Sequence, residues 1–95
     1  MSHYVVAQMT ITDRDSYGRY QAAFMPVLMQ YGGRLLAATE APQVVEGDWA
    51  HQKIILLSFA DEAAMRRWAE SPEYQAISTD RKAGAYGVVL SVPGL

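Results

Sequence analysis

The 95-residue sequence contains no cysteine and no asparagine. The first absence excludes disulfides, thiolate nucleophiles and thiolate metal ligands together. The second excludes every N-glycosylation acceptor. Positive charge is also scarce: 8 Lys and Arg stand against 10 Asp and Glu, for a net charge of -2. The only adjacent basic pairs are Arg66-Arg67 and Arg81-Lys82. A nucleic-acid binder carries a basic face or a high pI, whereas the pI is about 5.5, so no nucleic-acid partner is expected. No apolar run approaches the ~20 residues that cross a bilayer, so no membrane partner is expected either. The opening Met1-Ser2-His3-Tyr4 lacks a basic region followed by an apolar run. It does not read as a signal peptide, and a cytoplasmic location follows by default.

The sequence is also poor in strong motifs. It has no glycine-rich dinucleotide fingerprint, no P-loop, no H-E-x-x-H and no G-x-S-x-G. Its two histidines, His3 and His51, have no sequence-local carboxylate at metal-ligand spacing. No metal and no cofactor is called for. Haem is disfavoured because neither histidine falls on an expected helix.

What the chain does have is apolar content, 51% of residues, arranged in short periodic segments. Tyr4 to Ile11 is rich in Val, Ile and Thr and reads as a strand. Asp13 is a side-chain cap for the helix that follows, and Asp15 suits its dipole. Tyr17, Tyr20, Phe24, Val27, Leu28 and Tyr31 then recur at helical spacing. Pro26 is expected to kink this helix, and Gly32-Gly33 to end it. Arg34 to Ala38 reads as a second strand that Gln43 to Glu46 would continue past a loop, before a Gly47-Asp48 turn. Lys53 to Phe59 is the clearest strand. Asp61 caps a second helix with Ala64, Met65 and Trp68 inside, and Ser71-Pro72-Glu73 starts a short further helix. Tyr86 to Val92 is the last strand. The order β-α-β-β-α-β over residues 1–95 predicts a single α+β domain of the ferredoxin-like kind: a four-stranded antiparallel sheet with its helices on one face.

The strands are apolar on both faces. Val5, Ala7, Met9 and Ile11 form one row of the first strand, yet the opposite row contains Tyr4 and Val6. Ile55, Leu57 and Phe59 oppose Ile54 and Leu56, and Val88, Leu90 and Val92 oppose Val89 and Ser91. A sheet with one wet face alternates more cleanly. Helices cover one face only, so the other predicts a partner, most simply a second copy of the chain.

The candidate site residues are polar groups and aromatic rings. His51, at the start of the third strand, is a possible general base, or else a half-exposed turn histidine. Arg34 and Arg81 suit an anionic ligand, or else pairing with a carboxylate such as Glu46. Tyr17, Tyr20, Tyr31, Trp49, Trp68 and Tyr74 are many amphipathic rings for a short chain. They read as core residues, as the lining of a pocket, or as both.

The elements Tyr31-Gly32-Gly33-Arg34, Glu46-Gly47-Asp48-Trp49 and Ser71-Pro72-Glu73-Tyr74, in this order, with Asp13, Tyr17, Tyr20, Phe59, Trp68 and Arg81, resemble an uncharacterised bacterial family, domain of unknown function thirteen-thirty. The resemblance covers nearly the whole chain. It implies a ferredoxin-like subunit of a dimeric α+β barrel, a superfamily that includes cofactor-free monooxygenases, muconolactone-type isomerases and haem proteins related to chlorite dismutase. It carries over a fold and no reaction. Members often have arginine where this chain has Ala38 and Lys53, so an anion site built on those arginines is altered here.

Two functions are therefore expected in competition. One is the binding or conversion of a small aromatic or anionic molecule between helices and sheet. In it Arg34, Glu46, Trp49, Trp68, Tyr74 and Arg81 would bind, and Tyr20 or His51 would move a proton or donate a hydrogen bond. The other is a non-catalytic dimeric module that acts through protein contacts.

Overall fold

The structure is a computed structural model and describes residues 2–95. The chain runs β1 (His3–Ile11), α1 (Arg14–Gln30), β2 (Arg34–Thr39), β3 (Lys53–Phe59), α2 (Glu62–Ala69), α3 (Pro72–Gly84) and β4 (Ala85–Pro93). The strands form one antiparallel sheet in the order β2-β3-β1-β4.

Local chemistry sets the helix ends. The Asp13 carboxylate accepts from the amides of Asp15 and Ser16 at the start of α1, satisfying donors that a first turn leaves free. At the other end Gly32, at φ 74, takes the left-handed conformation. Its N–H donates to Met29 O, and the N–H of Gly33 donates to Leu28 O at 2.9 Å, which closes a Schellman motif. The helix continues through Pro26, which is exposed. Asp61 accepts from the Ala64 amide at 2.8 Å, and Ser71 accepts from the Tyr74 amide at 3.0 Å. Each caps the helix expected of it. The helix opened by Ser71-Pro72 is not short, however: it spans 13 residues against 8 for α2. It passes into β4 without a loop, because Gly84 O accepts from the amides of Thr12 and Asp13 and holds this junction against the end of β1.

One expected strand is absent. Gln43 to Glu46 lie in an irregular segment between β2 and β3. Pro42 cannot donate to a ladder, and Gly47 turns the chain at φ 90. Trp49 is then held to Gln8 on the sheet's outer face, so no strand is alongside for residues 43–46 to pair with.

The β1–β3 register sets His3, Val5, Ala7 and Met9 against Phe59, Leu57, Ile55 and Lys53. This row faces the helices and contains Val5, Met9 and Leu57, at most 3% exposed. A bulge between Leu35 and Ala37 changes the parity of β2, so that Leu35 pairs with Leu57 and Ala38 with Ile55, both on the helix side. The interior divides into two apolar groups. One is built on Leu28, Leu57, Phe59 and Trp68, the other on Met9, Tyr17 and Tyr20, with Phe24, Ile55 and Tyr74 bridging them. The opposite face of the sheet is uncovered: Val88, Leu90 and Val92 are 41–48% exposed, beside the partly buried Val6 and Leu56.

Candidate ligand-binding site

A cavity of about 230 Å³ lies at the seam between the two apolar groups. This exceeds the ~150 Å³ apolar cavity that accepts benzene, and gives room for one substituted ring. Its floor is the inward row of β1 and β3, with Leu35 and Ala38 from β2 and Val89 from β4. Its roof is a continuous set of rings on the three helices. Tyr17 and Tyr20 lie 5.7 Å apart by ring centroid, Tyr20 and Phe24 5.6 Å, Phe24 and Trp68 6.3 Å, and Trp68 and Tyr74 4.2 Å. These are ordinary separations for packed aromatic pairs. The exposed lining residues, Gln21 and Met25 on α1, Leu35 and Ala38 on β2 and Val89 on β4, mark where the cavity opens.

The cavity carries cationic donors and no anionic acceptor. No Asp, Glu or His lines it. Lys53 is only 6% exposed, and its Nζ lies 5.0 Å from the centroid of the Tyr17 ring. Among the described residues it has no ion-pair partner. Burial lowers its pKa; Glu40 opposes that effect in part, and Arg14 adds to it. Glu40 is itself engaged by Arg14 through contacts of 2.7 and 3.2 Å. Arg81 Nε and Trp68 Nε1 are buried with no hydrogen-bond partner. Buried polar groups are nearly always bonded, so unmet donors on two residues lining one cavity are unusual. Tyr20 Oη and Tyr74 Oη lie 3.1 Å apart, and with one hydroxyl donating to the other, the second O–H is left over. Burial, then the neighbouring Tyr74, raises the Tyr20 pKa far above the phenol range, with Arg81 offsetting a little. Tyr20 therefore stays protonated, and its hydroxyl can give or accept a hydrogen bond. Burial likewise raises the Tyr17 pKa.

The residues expected to form one site divide. Tyr20, Trp68, Tyr74 and Arg81 converge on the cavity. Trp49 and His51 lie beyond the other face of the sheet. There the Trp49 Nε1–H donates to Gln8 Oε1 at 2.9 Å, and His51 Nδ1 lies 2.9 Å from Thr10 Oγ1, with its ring near Tyr86. Arg34 and Glu46 are exposed and apart from the cavity, and the expected Arg34–Glu46 pair does not form. Tyr31 is a helix tie, its hydroxyl donating to Glu73 Oε1 at 2.7 Å. Tyr17, one of the rings expected in the core or in a pocket wall, lines the cavity, as does Lys53, which was not among the expected site residues. A signal for Lys53 was present: it shares strand parity with Ile55, Leu57 and Phe59, so it had to face inward with them. Ala38 and Lys53 both line the cavity. Among the described residues, no group of three or more His, Cys, Asp or Glu could hold a metal ion, and no helix is long and apolar enough to cross a membrane.

The sheet order, the one-sided helices and the cavity beneath them define a ferredoxin-like α+β domain. Solved structures of the same form include a protein of unknown function from Rhodopseudomonas palustris, with a TM-score of 0.82 at 15% identity, over 99% of this chain and 82% of that one. A dimeric ferredoxin-like protein of unknown function from Thermobifida fusca gives 0.65 at 12% identity, over 97% and 90%. SnoaB, a cofactor-independent oxygenase from Streptomyces nogalater, gives 0.63 at 12% identity, over 99% and 93%. None of the curated proteins compared matches the sequence. The chain belongs to the family described as a domain of unknown function, DUF1330, whose model matches residues 2–95.

Proposed function

We propose that the protein is a homodimer joined through the outer faces of its sheets, and that each subunit binds one small planar anion in the cavity between helices and sheet. The observation that carries the binding is the pairing of Lys53 and Arg81 in a ring-lined cavity with no acidic residue in its walls. An uncompensated buried cation is costly, and a ligand carboxylate supplies the missing counter-charge while its ring fills the apolar space. Arg81 and Lys53 hold the anionic group, Trp68 and Tyr74 flank the ring, and Tyr20 donates or accepts a hydrogen bond. The dimer rests on the uncovered Val88, Leu90 and Val92, and a neighbour of this fold is described as dimeric. In that assembly Trp49 and His51 flank the interface rather than the pocket. A cofactor-independent oxygenase among the neighbours is in keeping with a cavity that takes a small organic molecule unaided.

The test is a thermal-shift series with benzoate and 2-naphthoate against their neutral amides. Stabilisation by the carboxylates at concentrations where the amides have no effect supports the reading, since binding to the folded state raises its stability by mass action. No stabilisation by any of them refutes the pocket and favours a dimeric module that acts only through the uncovered sheet face.

A further inference from the structure

We infer that the cavity takes up weak oxygen acids, phenols or enolisable aromatic ketones, and holds them as their anions. This rests on the anion-binding reading above and narrows it to a class. The cavity has cationic donors on two sides and no anionic acceptor; its acceptors are neutral, the Gln21 amide and the tyrosine hydroxyls. Lys53 rises from the β3 floor, while Arg81 and the Tyr20–Tyr74 hydroxyl pair belong to the helical roof. A bound phenol in neutral form can accept a hydrogen bond but leaves both cations without a counter-charge. The same molecule as a phenolate accepts from Lys53 and Arg81 and places its ring among Phe24, Trp68 and Tyr74. No carboxylate or histidine in the wall competes for the cations. The titratable and charged groups around the Lys53 end are Arg14, Tyr17 and Tyr20 from α1, Glu40 at the end of β2, and Tyr74 and Arg81 from α3. The strands beside it supply only apolar groups such as Met9 and Val89. Glu40 is engaged by Arg14, which leaves the inward cations for the ligand. The proton lost by the O–H leaves to solvent through the mouth at Gln21 and Ala38, and no oxidant or cofactor is required. An enolisable ketone enters by the same route as its enol tautomer, whose O–H proton passes to solvent and whose enolate oxygen then accepts from the two cations.

The probe is 4-nitrophenol, whose anion absorbs in the visible and whose neutral form does not. It is titrated with pH in the presence of excess folded protein, with 4-nitroanisole as a non-acidic analogue and benzoate as a control for the pocket. An opposite charge within ~4–6 Å moves a titration by 1–3 pH units. The expected result is therefore a midpoint at least one unit lower than in buffer, a tenfold or greater excess of anion at fixed pH. The shift should vanish in Lys53→Met and Arg81→Met and persist in part in Arg81→Lys, each confirmed as folded by its urea midpoint. Binding of 4-nitrophenol with an unmoved midpoint, equal binding of 4-nitroanisole, or a shift that survives both methionine variants overturns the inference. If benzoate still binds in those cases, the anion-binding reading stands. If neither benzoate nor 4-nitrophenol binds, both fall.

Discussion

Lys53→Met should stabilise the folded domain while abolishing its affinity for anions. The lysine is 6% exposed and lacks an ion pair among the described residues. Desolvation of such an ammonium costs several kcal/mol, against which the face of Tyr17 at 5.0 Å returns about 0.5–2 kcal/mol. Methionine has nearly the length of the lysine stem and no charge, and shape-conserving exchanges of this kind cost less than ~1.5 kcal/mol. The balance is a gain of about 1–3 kcal/mol, and a domain of this size shifts its Tm by ~4–8 °C for each kcal/mol. The pH dependence has a definite sign. The ammonium pKa in the folded state lies below the ordinary 10.5, so between the two values the unfolded chain binds the extra proton. Stability of the native protein therefore rises with pH through that window. The advantage of the methionine variant is full below the folded-state pKa and closes as the pH approaches 10.5. Urea unfolding of both proteins at one fixed concentration, at pH 7 and pH 10, measures this, with benzoate added in a parallel series. A methionine variant less stable than the parent by more than ~1 kcal/mol, well outside the small effect of a shape-conserving exchange, or an advantage that widens with pH, would refute the reasoning.

Other substitutions probe separate parts of the structure. Leu90→Glu places a carboxylate in the middle of the uncovered sheet face, where Leu90 is 48% exposed; sedimentation at micromolar concentration should show a folded monomer, and a persistent dimer would exclude this face as the interface. Gly87→Ala should lower stability by at least ~2 kcal/mol, because the added methyl runs into the backbone carbonyl of Gln8 on the paired strand and overpacking against backbone cannot relax easily. An unchanged urea midpoint would mean that β4 does not lie so close to β1. Tyr20→Phe removes the 3.1 Å hydroxyl contact with Tyr74 and should cost about 1 kcal/mol, with benzoate affinity largely kept because the charged partners remain. Calorimetric titration that shows a loss as large as that of Lys53→Met would make Tyr20 a principal ligand group.

Much of the architecture could be read from local signals. Asp13, Asp61, Ser71 and the Gly32-Gly33 pair mark helix boundaries by chemistry that involves only a few neighbouring residues. The two-sided apolar pattern of β1, β3 and β4 likewise announced a sheet face that its own helices leave bare, as Val88 and Leu90 show. The candidate site was only half legible. Trp68 and Tyr74 lie at helical positions that had to turn inward, and they reached the cavity. Trp49 and His51 are aromatic and polar in the same way, yet the segment after β2 carries them to the opposite face of the sheet.

The sequence by itself determined the four strands and the starts of the three helices, the stop of the first helix at Gly32-Gly33, and that the sheet is apolar on both sides, because caps, turns and alternation act over a few residues. The tertiary structure alone decided that Lys53 and Arg81, 28 positions apart in the chain, line one cavity, that a bulge turns Ala38 inward, and that residues 43–46 remain without a strand partner. Those outcomes depend on register and on which surfaces meet across the fold, and long-range geometry of that kind leaves no periodic trace in the order of residues.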